Sequence, residues 1–408
     1  MATVTNPFTP GFGQSPAILA GRASVIREFE QAVAGELPGQ RNVLISGARG
    51  AGKTVLLTEF EAVAADAGWT CITLHTASSS LVAELRAEIV EHLRESDPQA
   101  ERSRLTGAGL SGVSAQRDVV ERYDGEALPV GRLLDRLAGI LDATGAGLLI
   151  TLDELQSVDR AQLHEVTQHV QDLTRRGHQV GFVAAGIRAG LDDLLENDKT
   201  TFLRRAHRVE LGSVPVGTAA ETIRQTVADT PKTITPEAAV RAGEVSQGYP
   251  YLIQLVGARA WTHAGNADTI EIGDIEQIRT EVIREMVKNV HRPALREISG
   301  RKLDYLNAML EDTGPSRVAD IAVRMGEDRR YQSVYRERLI HDELIHPAGR
   351  GYVEYALPYL RDALETLRAG TAPVPGADEV TRTRTRLTAS RSRPETRDRT
   401  TRDNNRRH

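Results

Sequence analysis

The run Asn42-Val43-Leu44-Ile45-Ser46 passes directly into Gly47-Ala48-Arg49-Gly50-Ala51-Gly52-Lys53-Thr54, and no other stretch limits the fold as tightly. A short apolar strand, a glycine-rich turn and a helical segment from about Gly52 to Ala65 fit the pattern G-x-x-x-x-G-K-[ST]. The glycines let backbone N–H groups converge on an anion at a helix start, where the peptide dipoles already favour negative charge. On this reading Gly47, Ala48, Arg49, Gly50, Ala51 and Gly52 wrap the phosphates of ATP. Lys53 reaches the β- and γ-phosphates, and the Thr54 hydroxyl is a Mg2+ ligand.

A loop of this kind needs a parallel sheet behind it. Strand-like runs at Thr70–Leu74, Gly147–Leu152, Val180–Ala185 and Val209–Leu211 alternate with helical segments at Leu81–Leu93, Arg132–Leu141 and Val158–Arg175. That interval predicts an α/β fold, a P-loop NTPase with a parallel sheet and helices on both faces. The strand ending at Leu152 runs into Asp153-Glu154. Asp153 is placed to hold Mg2+, and Glu154 to act as general base on the attacking water. The polar stretch Ser96–Ala127 yields no assignment. From Gly217 to about Val290 every segment reads as helix, which predicts a separate α-helical subdomain without strands.

Composition narrows the setting. Cys71 is the single cysteine of 408 residues, which excludes an intrachain disulfide framework and a cysteine-rich metal site. No apolar run reaches the ~18 residues of a membrane span, and the first residues lack a basic and apolar leader. No membrane association is expected, and the expected location is cytoplasmic. From Thr371 onward the chain holds ten arginines and five acidic residues, so the remainder carries −10 of the net −5. Such a tail buries too little to offset ordering and reads as disordered, either a phosphate-binding arm or a solubilising extension.

The third unit begins near Ile298. Helices at Lys302–Leu310 and Arg317–Met325, the latter with Ser316 as a candidate cap, precede the turn Gly326-Glu327-Asp328 and a third helix at Arg329–His341. Leu344–His346 and Tyr352–Tyr355 then flank Pro347–Gly351 as a hairpin. The order predicts a winged helix-turn-helix. Its third helix presents Arg329, Arg330, Gln332, Ser333, Tyr335 and Arg336, and Arg350 sits at the wing tip. Against duplex DNA stands the balance of residues 301–369, eleven basic and twelve acidic. Docking of a protein partner is the alternative.

The order of parts over residues 16–365 resembles AAA+ and related P-loop ATPases of the prokaryotic origin-recognition-like group, which overlaps the signal-transduction ATPases with numerous domains. The resemblance gives Ile18-Leu19-Ala20-Gly21-Arg22 a role beside the adenine, with Gly21 and Arg22 as the contacts. It also makes Gly248-Tyr249-Pro250 the lid motif against the nucleotide, with Gly248 and Pro250 as its marks. That group usually carries a polar residue where this chain has Ala185-Gly186, so slow or absent turnover is the second reading. Arg205, with Arg204 second, stands where the group places an arginine finger, implying a homo-oligomer. The expected units are an ATPase domain at 14–212, a lid at 213–295, a winged helix at 296–369 and a tail at 370–408.

Overall fold

The computed structural model describes residues 5–11, 15–76, 80–97, 101–106, 116–121, 128–195, 202–296, 298 and 300–371, with the side chains of 101–106, 116–121, 189–190, 192–193, 329–332 and 370–371 outside that description. The expected tail from 372 onward lies outside the described residues. Helix α1 (Ala23–Val33) leads to β1 (Asn42–Gly47), α2 (Lys53–Asp66), β2 (Thr70–Leu74) and α3 (Leu81–Ser96). The unassigned polar stretch contains two strands, β3 (Glu101–Thr106) and β4 (Gln116–Glu121), paired antiparallel with each other alone. Helix α4 (Val130–Ala143), β5 (Leu148–Leu152), α5 (Arg160–Arg175), β6 (Val180–Gly186), α6 (Arg188–Leu195) and β7 (His207–Leu211) complete the α/β part.

The main sheet has five parallel strands in the order β2-β5-β6-β1-β7. Both faces are covered, so the inner strands are apolar throughout: all five residues of β5 and all seven of β6 are buried. One core lies against α3, α4, α5 and α6. The other lies against α1 and α2, where Phe29 and Phe60 stack at 4.1 Å between ring centroids. Thr151 is the polar exception in β5, and its hydroxyl donates to the Glu61 carboxylate. Side-chain caps fix two helix starts: Ser80 Oγ accepts from the Ala83 N–H at the head of α3, and Asp159 accepts from the Ala161 and Gln162 N–H groups at the head of α5.

The part expected to be a lid comprises α7 (Val216–Ala228), α8 (Pro236–Ser246), α9 (Pro250–Ala264) and α10 (Ile272–Met286). It is not purely helical as expected. Strands β8 (Thr233–Ile234) and β9 (Thr269–Ile270) form a two-residue parallel ladder, too short to leave a periodicity. A π-helical turn at Val287–His291 and α11 (Arg292–Arg296) lead onward.

The third unit holds α12 (Arg301–Met309), β10 (Ser316–Arg317), α13 (Val318–Met325), α14 (Arg329–His341), β11 (Ile345–Pro347) and β12 (Tyr352–Tyr355), with strand order β10-β12-β11. Ser316 is not a helix cap. It pairs with Val353, and its buried Oγ turns to the Met309 carbonyl at 3.4 Å. The described residues through Leu360 make one compact unit, and the described residues from Arg361, most of α15 (Leu360–Thr371), belong to a second.

His291, in the π-helical turn between lid and third unit, is fully buried. Burial pushes its imidazole down to about 4, with the Pro358 carbonyl opposing. The unfolded chain titrates near the ordinary 6.5 and binds the proton more readily, so stability is present above that value and is lost as pH falls toward the folded one. Between pH 7 and pH 5 this group should cost roughly 2 kcal/mol. Urea midpoints measured across that range should fall, and His291→Phe should flatten the fall.

Candidate functional site

Strand β1 lies between β6 and β7 and delivers Gly47 to the carboxyl edge of the sheet. A Cβ at Gly47 would lie 2.6 Å from the Leu211 carbonyl oxygen, so no side chain fits there. Gly50 and Gly52 take φ of +84° and +91°, which turns the loop into α2. Ala51 is buried in the core beside α2. Lys53 is buried as well, and its Nζ donates to the carbonyls of Gly47 (2.7 Å) and Ala48 (3.2 Å). Burial lowers the Lys53 pKa, and the carboxylates of Glu343, Glu154 and Asp153 oppose that shift.

Thr54 Oγ1 donates to Asp153 Oδ2 at 2.6 Å, across 99 residues of sequence. The other Asp153 oxygen accepts the Glu154 N–H at 2.8 Å. A hydroxyl and a carboxylate at the mouth of an anion-binding loop fit a hard divalent cation such as Mg2+. Glu154 takes φ +52°, a left-handed conformation uncommon outside glycine. Its carboxylate accepts from Gln156 Nε2.

Gln156 supplies what the end of β6 lacks. Its Oε1 accepts the Ile187 N–H at 3.1 Å, and a Cβ at Gly186 would lie 2.9 Å from that oxygen. A polar group thus bridges Glu154 to the turn after β6, from β5's side of the sheet rather than from β6. Sequence spacing does not reveal this bridge, because it exists only once β5 and β6 lie side by side.

The expected adenine box and lid motif meet at residues 212–214. Arg22 Nη2 donates to the Gly212 carbonyl at 2.7 Å, and burial lowers its pKa. A Cβ at Gly21 would lie 2.9 Å from Val214 Cγ1. Gly248, with φ +69°, packs so closely that a Cβ would stand 1.8 Å from the Val214 carbonyl oxygen. Val214 N–H donates back to the Gly248 carbonyl at 2.8 Å. Pro250 opens α9, where its missing N–H costs nothing. The residue between them reaches the loop: the Tyr249 hydroxyl donates to the Arg49 carbonyl, and a Cβ at Gly50 would lie 3.0 Å from it. Burial raises the Tyr249 pKa.

Arg204 Nε is held by the Leu195 carbonyl at 2.6 Å. Arg205 is exposed; its backbone N–H donates to the Phe202 carbonyl at 3.2 Å, and among the described residues no hydrogen bond or ion pair involves its side chain. In the third unit Arg350 is exposed in the turn between β11 and β12. Ser333 and Arg336 are half-buried on α14, with Arg336 3.7 Å from Glu337, and the Arg338 guanidinium lies 6.0 Å from the Tyr335 ring centroid. Arg329, Arg330 and Gln332 belong to α14, but their side chains lie outside the described residues. Among the described residues no helix is long and apolar enough to cross a membrane.

Residues 18–183 match the family described as AAA ATPase domain, and residues 288–363 match a domain of unknown function (DUF8462). No curated protein sequence matches the chain. Among solved structures the chain is similar to the ORC2 protein of Aeropyrum pernix, solved as ADPNP-ADP complexes, at 15% identity and TM-score 0.60, covering 89% of this chain and 98% of that one. It is also similar to a Walker-type ATPase of Pyrococcus abyssi, at 17% identity and TM-score 0.59, covering 85% and 96%. Residues 18–183 thus match an AAA ATPase domain, and the chain has a P-loop NTPase fold of the kind seen in the Aeropyrum pernix and Pyrococcus abyssi structures.

The contact at Val214 gives a stability test. Gly248→Ala meets backbone rather than a yielding side chain and should lose ~2 kcal/mol or more. Gly39→Ala, with nothing within 4 Å of the added carbon, should leave the urea midpoint nearly unchanged.

Proposed function

We propose that this chain binds Mg-ATP at the Gly47–Thr54 loop, hydrolyses it, and couples nucleotide state to duplex DNA through residues 296–369 acting as a winged helix. The observation that carries the ATPase part is the 2.6 Å hydrogen bond between Thr54 and Asp153, which joins the loop to the acidic strand end. When bound, Mg2+ would neutralise charge on the β- and γ-phosphates, with Thr54 and Asp153 as its protein ligands. Lys53 exchanges the carbonyls of Gly47 and Ala48 for phosphate oxygens. Glu154, held by Gln156, accepts the proton of the attacking water. Arg205, solvated and unpaired among the described residues, is available to a neighbouring subunit's nucleotide.

DNA binding is supported by the exposed Arg350 in the turn between β11 and β12 and by the basic sequence of α14, along with a tail of ten arginines. The second reading is a nucleotide switch that recruits a protein partner with slow or no turnover. It is favoured by the slight acidic excess of residues 301–369 and by the Arg336–Glu337 pair.

Lys53→Ala should abolish ATP binding in calorimetry, whereas Glu154→Gln should retain binding and lose phosphate release. Unchanged ATP affinity in Lys53→Ala would contradict the assignment. Turnover per chain should rise with protein concentration, and Arg205→Ala should lower it up to ~10³-fold with ATP affinity nearly intact. Activity independent of both would make the ATPase monomeric. Full-length protein should bind duplex DNA with a log–log salt slope of about −0.9 per neutralised phosphate. Truncation after Gly370 should flatten the slope without changing sequence preference. No duplex affinity even at low salt would leave the protein-docking reading.

A further inference from the structure

A carboxylate of the third unit reaches into the site just described. Glu343 occupies the turn between α14 and β11, and its Oε1 accepts the backbone N–H of Arg188 at 3.1 Å. Arg188 follows immediately on the Gly186-Ile187 turn that Gln156 grips. Among the charged groups acting on Lys53, Glu343 has the largest influence, ahead of Glu154 and Asp153. It also acts on Tyr249, the lid residue hydrogen-bonded to the loop. One acidic side chain is therefore hydrogen-bonded to the backbone just after the β6 turn, and its charge bears on the loop lysine and on Tyr249.

The local backbone makes this placement unusual. Glu343 follows the end of α14 with φ +56°, a left-handed position ordinarily filled by glycine or asparagine. Its N–H donates to the Ile340 carbonyl at 3.0 Å, and the Leu344 N–H to the Leu339 carbonyl at 3.0 Å, so the helix end is well formed around it. Leu344 and Ile345 are buried next to it, and neighbouring Asp342 is fixed by Lys302 at 2.6 Å. The turn is thus anchored in the third unit while its carboxylate is aimed out of it. Burial raises the Glu343 pKa, and the Arg188 N–H and the Lys53 charge oppose that rise.

We propose that Glu343 and the γ-phosphate of ATP compete: the Glu343 carboxylate, docked on the Arg188 N–H at the end of β6, is displaced when ATP binds. Docking of the α14–β11 turn and binding of ATP are then mutually exclusive. ATP frees that turn of the third unit, and loss of the γ-phosphate lets it return. This rests on the ATPase reading and names the contact through which nucleotide state reaches residues 296–369.

The test uses the full chain, with calorimetric titration of Mg-ATPγS and Mg-ADP into wild type, Glu343→Gln and Glu343→Gly. The first variant removes the charge at constant size. The second suits the left-handed backbone and guards against misfolding. If the plug is docked about nine-tenths of the time, both variants should bind ATPγS about tenfold more tightly, with a smaller gain for ADP. In wild type, ATPγS should also speed amide hydrogen exchange at 341–346 while slowing it across 47–54. Equal affinities in all three proteins, an equal gain for ATPγS and ADP, or unaltered exchange at 341–346 would overturn the inference while leaving the ATPase reading intact. Absence of nucleotide binding in all three would overturn that reading and this inference with it.

Discussion

The loop and the acidic strand end become a single site because parallel strands all finish on one edge of the sheet. Thr54 follows β1 and Asp153 follows β5, two strands that are not neighbours, since β6 runs between them. The two side chains meet at 2.6 Å across the end of β6. Larger residues at 186 would strike Gln156 and Leu155. The missing side chain after β6 thus belongs to the same packing solution that lets Gln156 hold Glu154.

Charge at this edge is arranged around one buried amine. Lys53 loses solvation and is held by two loop carbonyls, while the charges of Glu343, Glu154 and Asp153 favour its ammonium form. Phosphate oxygens answer the same need, since an ammonium out of water must be paired. Each carboxylate arrives from a different place: Asp153 and Glu154 from the sheet, Glu343 from the third unit. The helical part adds the Tyr249 hydroxyl on the Arg49 carbonyl, and the Val214 N–H donates to the Gly248 carbonyl just before it.

Most of the fold was legible because its signals are local. Strand β2 falls at the expected Thr70–Leu74 and α14 at the expected Arg329–His341, each marked by its own run of residues. The polar hairpin of β3 and β4 and the two-residue ladder of β8 and β9 were not, since neither carries an apolar alternation. Ser316 looked like a helix cap because serine before a helix is the ordinary choice, yet the pairing with Val353 outweighed it. In the site, the loop and Asp153-Glu154 are contiguous motifs and could be read directly. Gln156, Tyr249 and Glu343 could not, because each acts on residues far away in sequence and only the assembled sheet, lid and third unit bring them there.

The central claim is that Thr54 and Asp153 together form the cation-binding half of a nucleotide site. Calorimetric titration of ATP with and without Mg2+, in wild type and in Asp153→Asn, addresses it most directly. The account predicts that Mg2+ tightens ATP binding in wild type and that the substitution removes most of this Mg2+ dependence while weaker metal-free binding through Lys53 persists. ATP affinity that is indifferent to Mg2+ in wild type, or an Mg2+ dependence unchanged in Asp153→Asn, would contradict it.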